Sequence, residues 1–154
     1  MTIDLQAALP MIVPKAIAWA EAQHAHISQV GRSLDEALLA LASSVGVLHP
    51  DKIRVAGVPY LPLPEDPELR QAALGTGLLG PNMVGLTLGY GVYICHGHED
   101  IRLLSHEFRH VFQYERAGSI AAFLPAYLQQ ISTVGYQNAP LEIDARAHER
   151  RQSA

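Results

Sequence analysis

His106-Glu107-Phe108-Arg109-His110 constrains this chain more than any other stretch. Two histidines stand four residues apart, with a glutamate directly after the first. On an α-helix, residues four apart lie one above the other, so both imidazoles point the same way and can hold one metal ion. The glutamate then projects beside the metal. There it can take a proton from an activated water and pass it to a leaving amine. The chemistry therefore demands a helix here, and the local sequence predicts one. Ile101 to Arg116 contains no Gly or Pro, and Gly118 supplies a stop. Leu104, Phe108, Val111 and Phe112 share an apolar face. Arg102, Ser105, Arg109 and Gln113 share a polar one. His106 and His110 fall on the border between them, with Glu107 closer to the apolar side.

A catalytic zinc site normally has three protein ligands and a water, so a third ligand is needed downstream. The segment Gly135-Tyr136-Gln137-Asn138-Ala139-Pro140-Leu141-Glu142-Ile143-Asp144 offers it. Asn138 is a favourable N-cap and Pro140 suits a first helical turn, which places Glu142 near the start of a new helix. Asp144 projects about 160° away on a helical wheel, so the two acids cannot face one metal. Glu142 is the expected third ligand. The alternative is an acid favoured there by the helix dipole. Should Glu142 fail, Asp144, Glu149 or the Cys95–His98 turn would have to serve.

The pattern H-E-x-x-H, followed after an intervening helix by a glutamate on another, resembles the glutamate-zincin metallopeptidases. Leu103-Leu104-Ser105-His106-Glu107-Phe108-Arg109-His110-Val111-Phe112-Gln113 and the later Pro140-Leu141-Glu142-Ile143-Asp144-Ala145 look like compact bacterial zincin-like domains. The resemblance covers roughly residues 85–150. It implies zinc ligands at His106, His110 and Glu142, with Glu107 as general base. In thermolysin-like members an aspartate four residues after the ligand glutamate orients a histidine ligand. Arg146 stands there in this chain, so the support of the histidines must be built differently.

At 154 residues the chain is most simply one domain, 1–154, with a helical front (1–48), a strand-and-loop middle (49–98) and metal-site helices (99–154). The net charge of −4 comes without a basic cluster, which argues against a nucleic-acid partner. No apolar run is long enough to span a bilayer, and the N-terminus lacks the features of a signal peptide. A single cysteine, Cys95, rules out an internal disulfide and fits a reducing compartment, so the expectation is a cytoplasmic protein.

Helices are expected from Pro14 to about Val30 and from a capping box at Ser33-Leu34-Asp35-Glu36 to Gly46. Lys52 to Val58 reads as a strand and Pro59 to Pro67 as an extended loop. Glu68 to Leu74 reads as one or two helical turns. Val84 to Cys95 reads as two short strands, or one bent by glycines, and either its glycines let a substrate backbone approach or it is a small structural hairpin packed against the helix. Ser119 caps a helix over Ile120–Thr133, in which Pro125 either kinks the chain or shifts the start to Leu124. Phe123, Leu124, Tyr127, Leu128 and Ile131 are assigned to core. Tyr136 is a candidate hydrogen-bond donor to a developing oxyanion, with simple packing as its alternative.

The expected fold is therefore α+β: a mostly helical zincin-like domain with a two- or three-stranded sheet packed beside the metal-binding helix. The expected activity is zinc-dependent hydrolysis of a peptide or protein substrate. The alternative is an inactive zincin-shaped binding or assembly module whose metal is structural.

Overall fold

The computed structural model describes residues 4–151. Among them are six α-helices and a three-stranded mixed sheet, an α+β fold. The helices are α1 (Leu5–Val30), α2 (Glu36–Ser44), α3 (Pro67–Gly75), α4 (Ile101–Ala117), α5 (Ile120–Val134) and α6 (Pro140–Ala147). The strands are β1 (Arg54–Val58), β2 (Gly85–Leu88) and β3 (Gly91–Cys95). No described helix is long and apolar enough to cross a membrane.

The helix α1 begins nine residues before the expected Pro14. Asp4 caps it, its carboxylate accepting from the Ala7 N–H, and Pro10 and Pro14 both lie inside it. An interior proline leaves the carbonyl four residues back without its partner. Here those carbonyls belong to Gln6 and Pro10, which are exposed, so water can satisfy them. The apolar residues Leu9, Ile12, Ala16, Ala20 and Ile27 then lie along the buried face. Pro125 is tolerated inside α5 for the same reason, since the carbonyl it frees belongs to exposed Ala121. The helix α5 starts at Ile120, with the Ser119 hydroxyl accepting from Ala122 N–H at 3.0 Å.

Two expected caps move by one or two residues. Asp35, rather than Ser33, caps α2, accepting from Leu38 N–H at 2.9 Å. Ala139, rather than Asn138, precedes α6, and the Asn138 side chain turns back to the Val134 carbonyl. The free amide of Leu141 is satisfied instead by Gln130 of α5, at 3.0 Å. A tertiary contact replaces the local cap.

The strands are ordered β1-β3-β2, with β1 parallel and β2 antiparallel to β3. All five residues of β3 are buried. Their side chains alternate between two cores, as strand geometry requires. Tyr93 and Cys95 join the core built on α1, α3 and α5. Val92 and Ile94 join the other, with Leu104, Phe108 and Val111 of α4 and Val45 beside α2. A Cβ on Gly91 would stand 3.0 Å from Ile27, so α1 rests directly on the strand backbone there.

This arrangement positions α4. Its apolar face is held by the sheet, and its N-terminus is capped by Asp100, which accepts from Leu103 N–H at 2.8 Å. Gly118, at φ 101°, ends it in the left-handed conformation that glycine adopts readily, donating to the Tyr114 carbonyl. The helix α6 docks on the polar face of α4 and covers Ser105, Arg109 and Gln113, while Arg102 near its start stays exposed. The Arg109 guanidinium forks onto Asp144 (2.8 and 3.2 Å), and Gln113 donates to Leu141 O and to Asp144 Oδ2, both at 2.9 Å. Ser105 is fully buried, and its hydroxyl accepts from Arg150 N–H at 2.8 Å.

Candidate metal centre

The docking of α6 on α4 brings His106, His110 and Glu142 together. Glu142 is the third residue of α6 and is 1% exposed. His106 Nε2 lies 3.2 Å from Glu142 Oε1, and His110 Nε2 lies 3.0 Å from Glu142 Oε2. One ligand atom from each residue falls within 4.8 Å of the others. A tetrahedral ion with zinc-like bonds spaces its ligands about 3.3 Å apart. Among the described residues this is the one group of histidine, cysteine and acidic side chains close enough to share an ion.

Both rings are held from behind. His106 Nδ1 meets Glu149 Oε2 at 2.8 Å, and His110 Nδ1 meets Gln113 Oε1 at 2.7 Å. Gln113 is itself held by Asp144, which Arg109 anchors. With each Nδ1 so engaged, Nε2 is the ring nitrogen turned toward the common centre. Such support fixes ring orientation and raises ligand basicity. The residues present therefore fit a divalent ion by donor type, spacing and orientation.

Electrostatics point the same way. Burial disfavours the charged form of both histidines, but the Glu142 carboxylate between them outweighs it. It raises the pKa of His106 and lifts that of His110 to about 9. Burial likewise works against a charged Glu142, yet hydrogen bonds from His106 and His110 hold its carboxyl well below the usual range. The centre is thus a place that favours positive charge.

The remaining acids are accounted for. Asp144 braces α6 and does not face the centre, in line with the helical-wheel argument. Glu149 touches the site through His106, not as a third ligand, and also accepts from Arg102 at 3.1 Å. The support that Arg146 cannot give thus comes from Glu149, three residues further on. Arg146 instead donates to the Gln137 carbonyl. His148 caps its own helix through the Asp144 carbonyl at 2.8 Å.

Glu107 is buried at 5% exposure beside this centre. The Thr87 hydroxyl on β2 lies 2.8 Å from its Oε1. The room for its side chain comes from Gly85, where a Cβ would stand 2.9 Å from Glu107 Oε2. The hairpin glycines have two sequence readings, admitting a substrate backbone or serving a structural hairpin packed against the helix, and their surroundings fit the second. Gly85 admits Glu107, Gly91 admits Ile27, and Gly89 makes the β2–β3 turn at φ 66°.

Tyr136 is half-buried and lines the same cavity as Glu107, His110 and Glu142. Burial, then the charges of Glu142 and Glu107, push its phenol far above the ordinary value. It therefore stays a neutral donor. Tyr127, assigned to core from its spacing, is also a site residue: its hydroxyl donates to Glu142 Oε2 at 2.6 Å. Nothing in a helical repeat separates a packed tyrosine from one whose hydroxyl meets a buried carboxylate. Thr87 and Glu149 were equally invisible as partners, since each reaches the site only across a tertiary contact.

The Cys95-His96-Gly97-His98 stretch stays apart. Cys95 ends β3 buried, its thiol pushed up by burial, while His96 and His98 are exposed on a turn made by Gly97 at φ 85°.

Comparison of the chain with protein-family models, with curated proteins and with solved structures returns no match.

Proposed function

We propose that this protein is a zinc-dependent hydrolase that cleaves peptide bonds. The observation that carries the reading is the convergence of His106 Nε2 and His110 Nε2 on the buried Glu142 carboxylate, with Glu107 beside them at a cavity wall. Zinc held by these three residues would supply Lewis acidity, lowering the pKa of a water and polarising a carbonyl.

The chain's own residues supply the rest. Glu107 takes the proton of the attacking water and delivers it to the leaving nitrogen. Thr87 fixes the Glu107 carboxylate through Oε1, leaving Oε2 for proton transfer. Tyr136 donates to the carbonyl oxygen as it gains charge. Glu149 and Gln113 hold the two imidazoles in register, and Tyr127 holds the Glu142 oxygen. The compartment we propose is the cytoplasm, where the lone thiol of Cys95 stays reduced.

A structural zinc site is closed by four protein ligands. The described residues bring three to this centre, and Glu107 is tied to Thr87 instead of completing the set. That favours a hydrolase over an assembly module.

The test is metal analysis of the purified protein beside His110→Ala and Glu142→Ala, followed by a peptide-library cleavage screen. The expected result is close to one zinc per chain, lost in both variants, and cleavage that Glu107→Gln lowers by about 100-fold or more while zinc is kept. A chain that takes up no zinc when it is supplied, or a Glu107→Gln variant as active as its parent, overturns the reading.

A further inference from the structure

The two histidines of the centre are supported unequally. His110 is backed by Gln113, one turn further along the same helix, and Gln113 is held in turn by Leu141 and Asp144 of α6. Every residue in that chain of contacts sits on a helix, so the support is part of the scaffold. His106 is backed by Glu149, which lies beyond the end of α6 at Ala147. No helix or strand carries Glu149. Its place behind His106 has to be fixed by contacts of the segment itself.

Those contacts differ in weight. Glu149 N–H donates to the Arg146 carbonyl at 3.2 Å, which only leads the chain out of the helix. Glu149 Oε1 accepts from Arg102 at 3.1 Å, but the Arg102 side chain is 74% exposed, and ion pairs in that setting contribute little. The next residue is held differently. Arg150 N–H donates to Ser105 Oγ at 2.8 Å, and its guanidinium donates to the carbonyl of Ser44, the last residue of α2, at 2.9 Å. The segment after α6 is fastened to α4 by one bond and to α2 by the other.

Ser105 is suited to be the anchor. Its hydroxyl carries one hydrogen, which it donates to the Arg102 carbonyl at 2.9 Å. Bonding back to the preceding turn leaves the oxygen able only to accept, and it accepts the Arg150 amide. Ser105 is 0% exposed, so the bond is shielded from water, and alanine there would leave the amide without its partner. Ser105 directly precedes His106. Fixing Arg150 to Ser105 therefore fixes Glu149 against His106.

Resting on the zinc-site reading, we propose that Ser105 and Arg150 are positioning residues that make the segment after α6 a strap across α4, on which retention of the metal depends. Closed, the strap keeps the Glu149 carboxylate behind His106. Open, it leaves His106 without support while His110 keeps its own, and the His106 bond to the metal is the first to be lost.

The experiment uses the full chain loaded with zinc, its content measured first and the far-UV spectra of all variants compared. Zinc release into an excess of a chromophoric chelator is followed for the parent, Ser105→Ala, Arg150→Ala and Arg102→Ala. The first two substitutions are repeated on a Glu149→Gln background. Ser105→Ala is expected to speed release by about 10-fold, as loss of the support behind a metal ligand does. Arg150→Ala, a surface change that keeps the amide, is expected to speed it by about fivefold, the worth of one hydrogen bond. Arg102→Ala is expected to change it by less than about twofold. On the Glu149→Gln background, Ser105→Ala and Arg150→Ala are each expected to add less than about twofold, because they act through Glu149. A role in stability alone would add in full there.

Three results overturn the strap and leave the zinc-site reading standing. They are release within about twofold of the parent in both Ser105→Ala and Arg150→Ala, undiminished effects on the Glu149→Gln background, or an Arg102→Ala effect as large as that of Ser105→Ala. A parent chain that takes up no zinc overturns both.

Discussion

Gly85→Ala is the most discriminating single change in the molecule. The backbone at Gly85 is an ordinary strand conformation, so alanine brings no φ penalty. What it brings is a methyl group 2.9 Å from Glu107 Oε2, 3.1 Å from Cδ and 3.2 Å from Cγ. Ordinary contact begins at 3.4 Å, so the closest approach is roughly half an ångström too short. Glu107 cannot retreat freely, because it is buried and its Oε1 is tied to Thr87. Either the carboxylate swings and stretches that bond, or the hairpin lifts from α4. Overpacking of this kind costs about 1–3 kcal/mol. For a chain of this size, that lowers Tm by roughly 2–10 °C. The three atoms nearest the new methyl all belong to Glu107, so zinc content should not change. On the proposed mechanism, displacing Glu107 in this way is expected to lower kcat by about 100-fold. The assay is zinc content, Tm and peptide cleavage on one preparation, with Gly75→Ala as control. A Cβ there meets nothing within 4 Å, so that variant should melt at or above the parent temperature. A Gly85→Ala protein with parental Tm and parental kcat would refute the claim that Gly85 exists to house Glu107.

Further outcomes are expected. In the metal-free protein, His106 and His110 have raised pKa values, so their contribution is complete below the unfolded value near 6.5 and is lost as pH rises through the folded value, about 9 for His110. Chelator-treated protein should therefore lose stability between those limits, on the order of a few kcal/mol, by denaturant titration at successive pH values; a flat profile would contradict the ion pairing at the centre. Glu149→Gln should weaken zinc binding by about 10- to 100-fold in a competition assay while leaving the far-UV spectrum intact, since it removes the carboxylate behind His106. Tyr127→Phe strips a hydrogen bond from a buried carboxylate and should cost about 1–3 kcal/mol in the metal-free chain. Tyr136→Phe should lower kcat by about 100-fold with little effect on zinc content; the reverse pattern would exchange the roles of the two tyrosines.

How much of this was legible in the sequence depends on the range of the interaction. The helix bearing His106, Glu107 and His110 was readable to within a residue, because Gly118 and an uninterrupted amphipathic repeat are local signals. The hairpin before it was readable as well. The start of α1 was not, because prolines read as breakers unless one knows that the carbonyls they free face water. The caps at Asp35 and Ala139 were misplaced by one or two positions, in the second case because Gln130 on another helix does the work of a cap. Tyr127 read as core because a tyrosine at helical spacing carries no mark of what its hydroxyl meets.

By itself, the sequence determined the pieces of the centre: two imidazoles on one helix face, a glutamate beside them, and a glutamate on the first turn of a later helix. Those follow from helical periodicity and backbone chemistry, which act over a few residues. The tertiary structure alone decided that α6 lies on the polar face of α4, that Glu149 replaces the support missing at Arg146, that Gly85 vacates space for Glu107, and that the centre forms one end of an aliphatic cavity. Each of these is a contact between residues from about 15 to more than 60 positions apart. Only the packing of whole elements sets which such pairs meet.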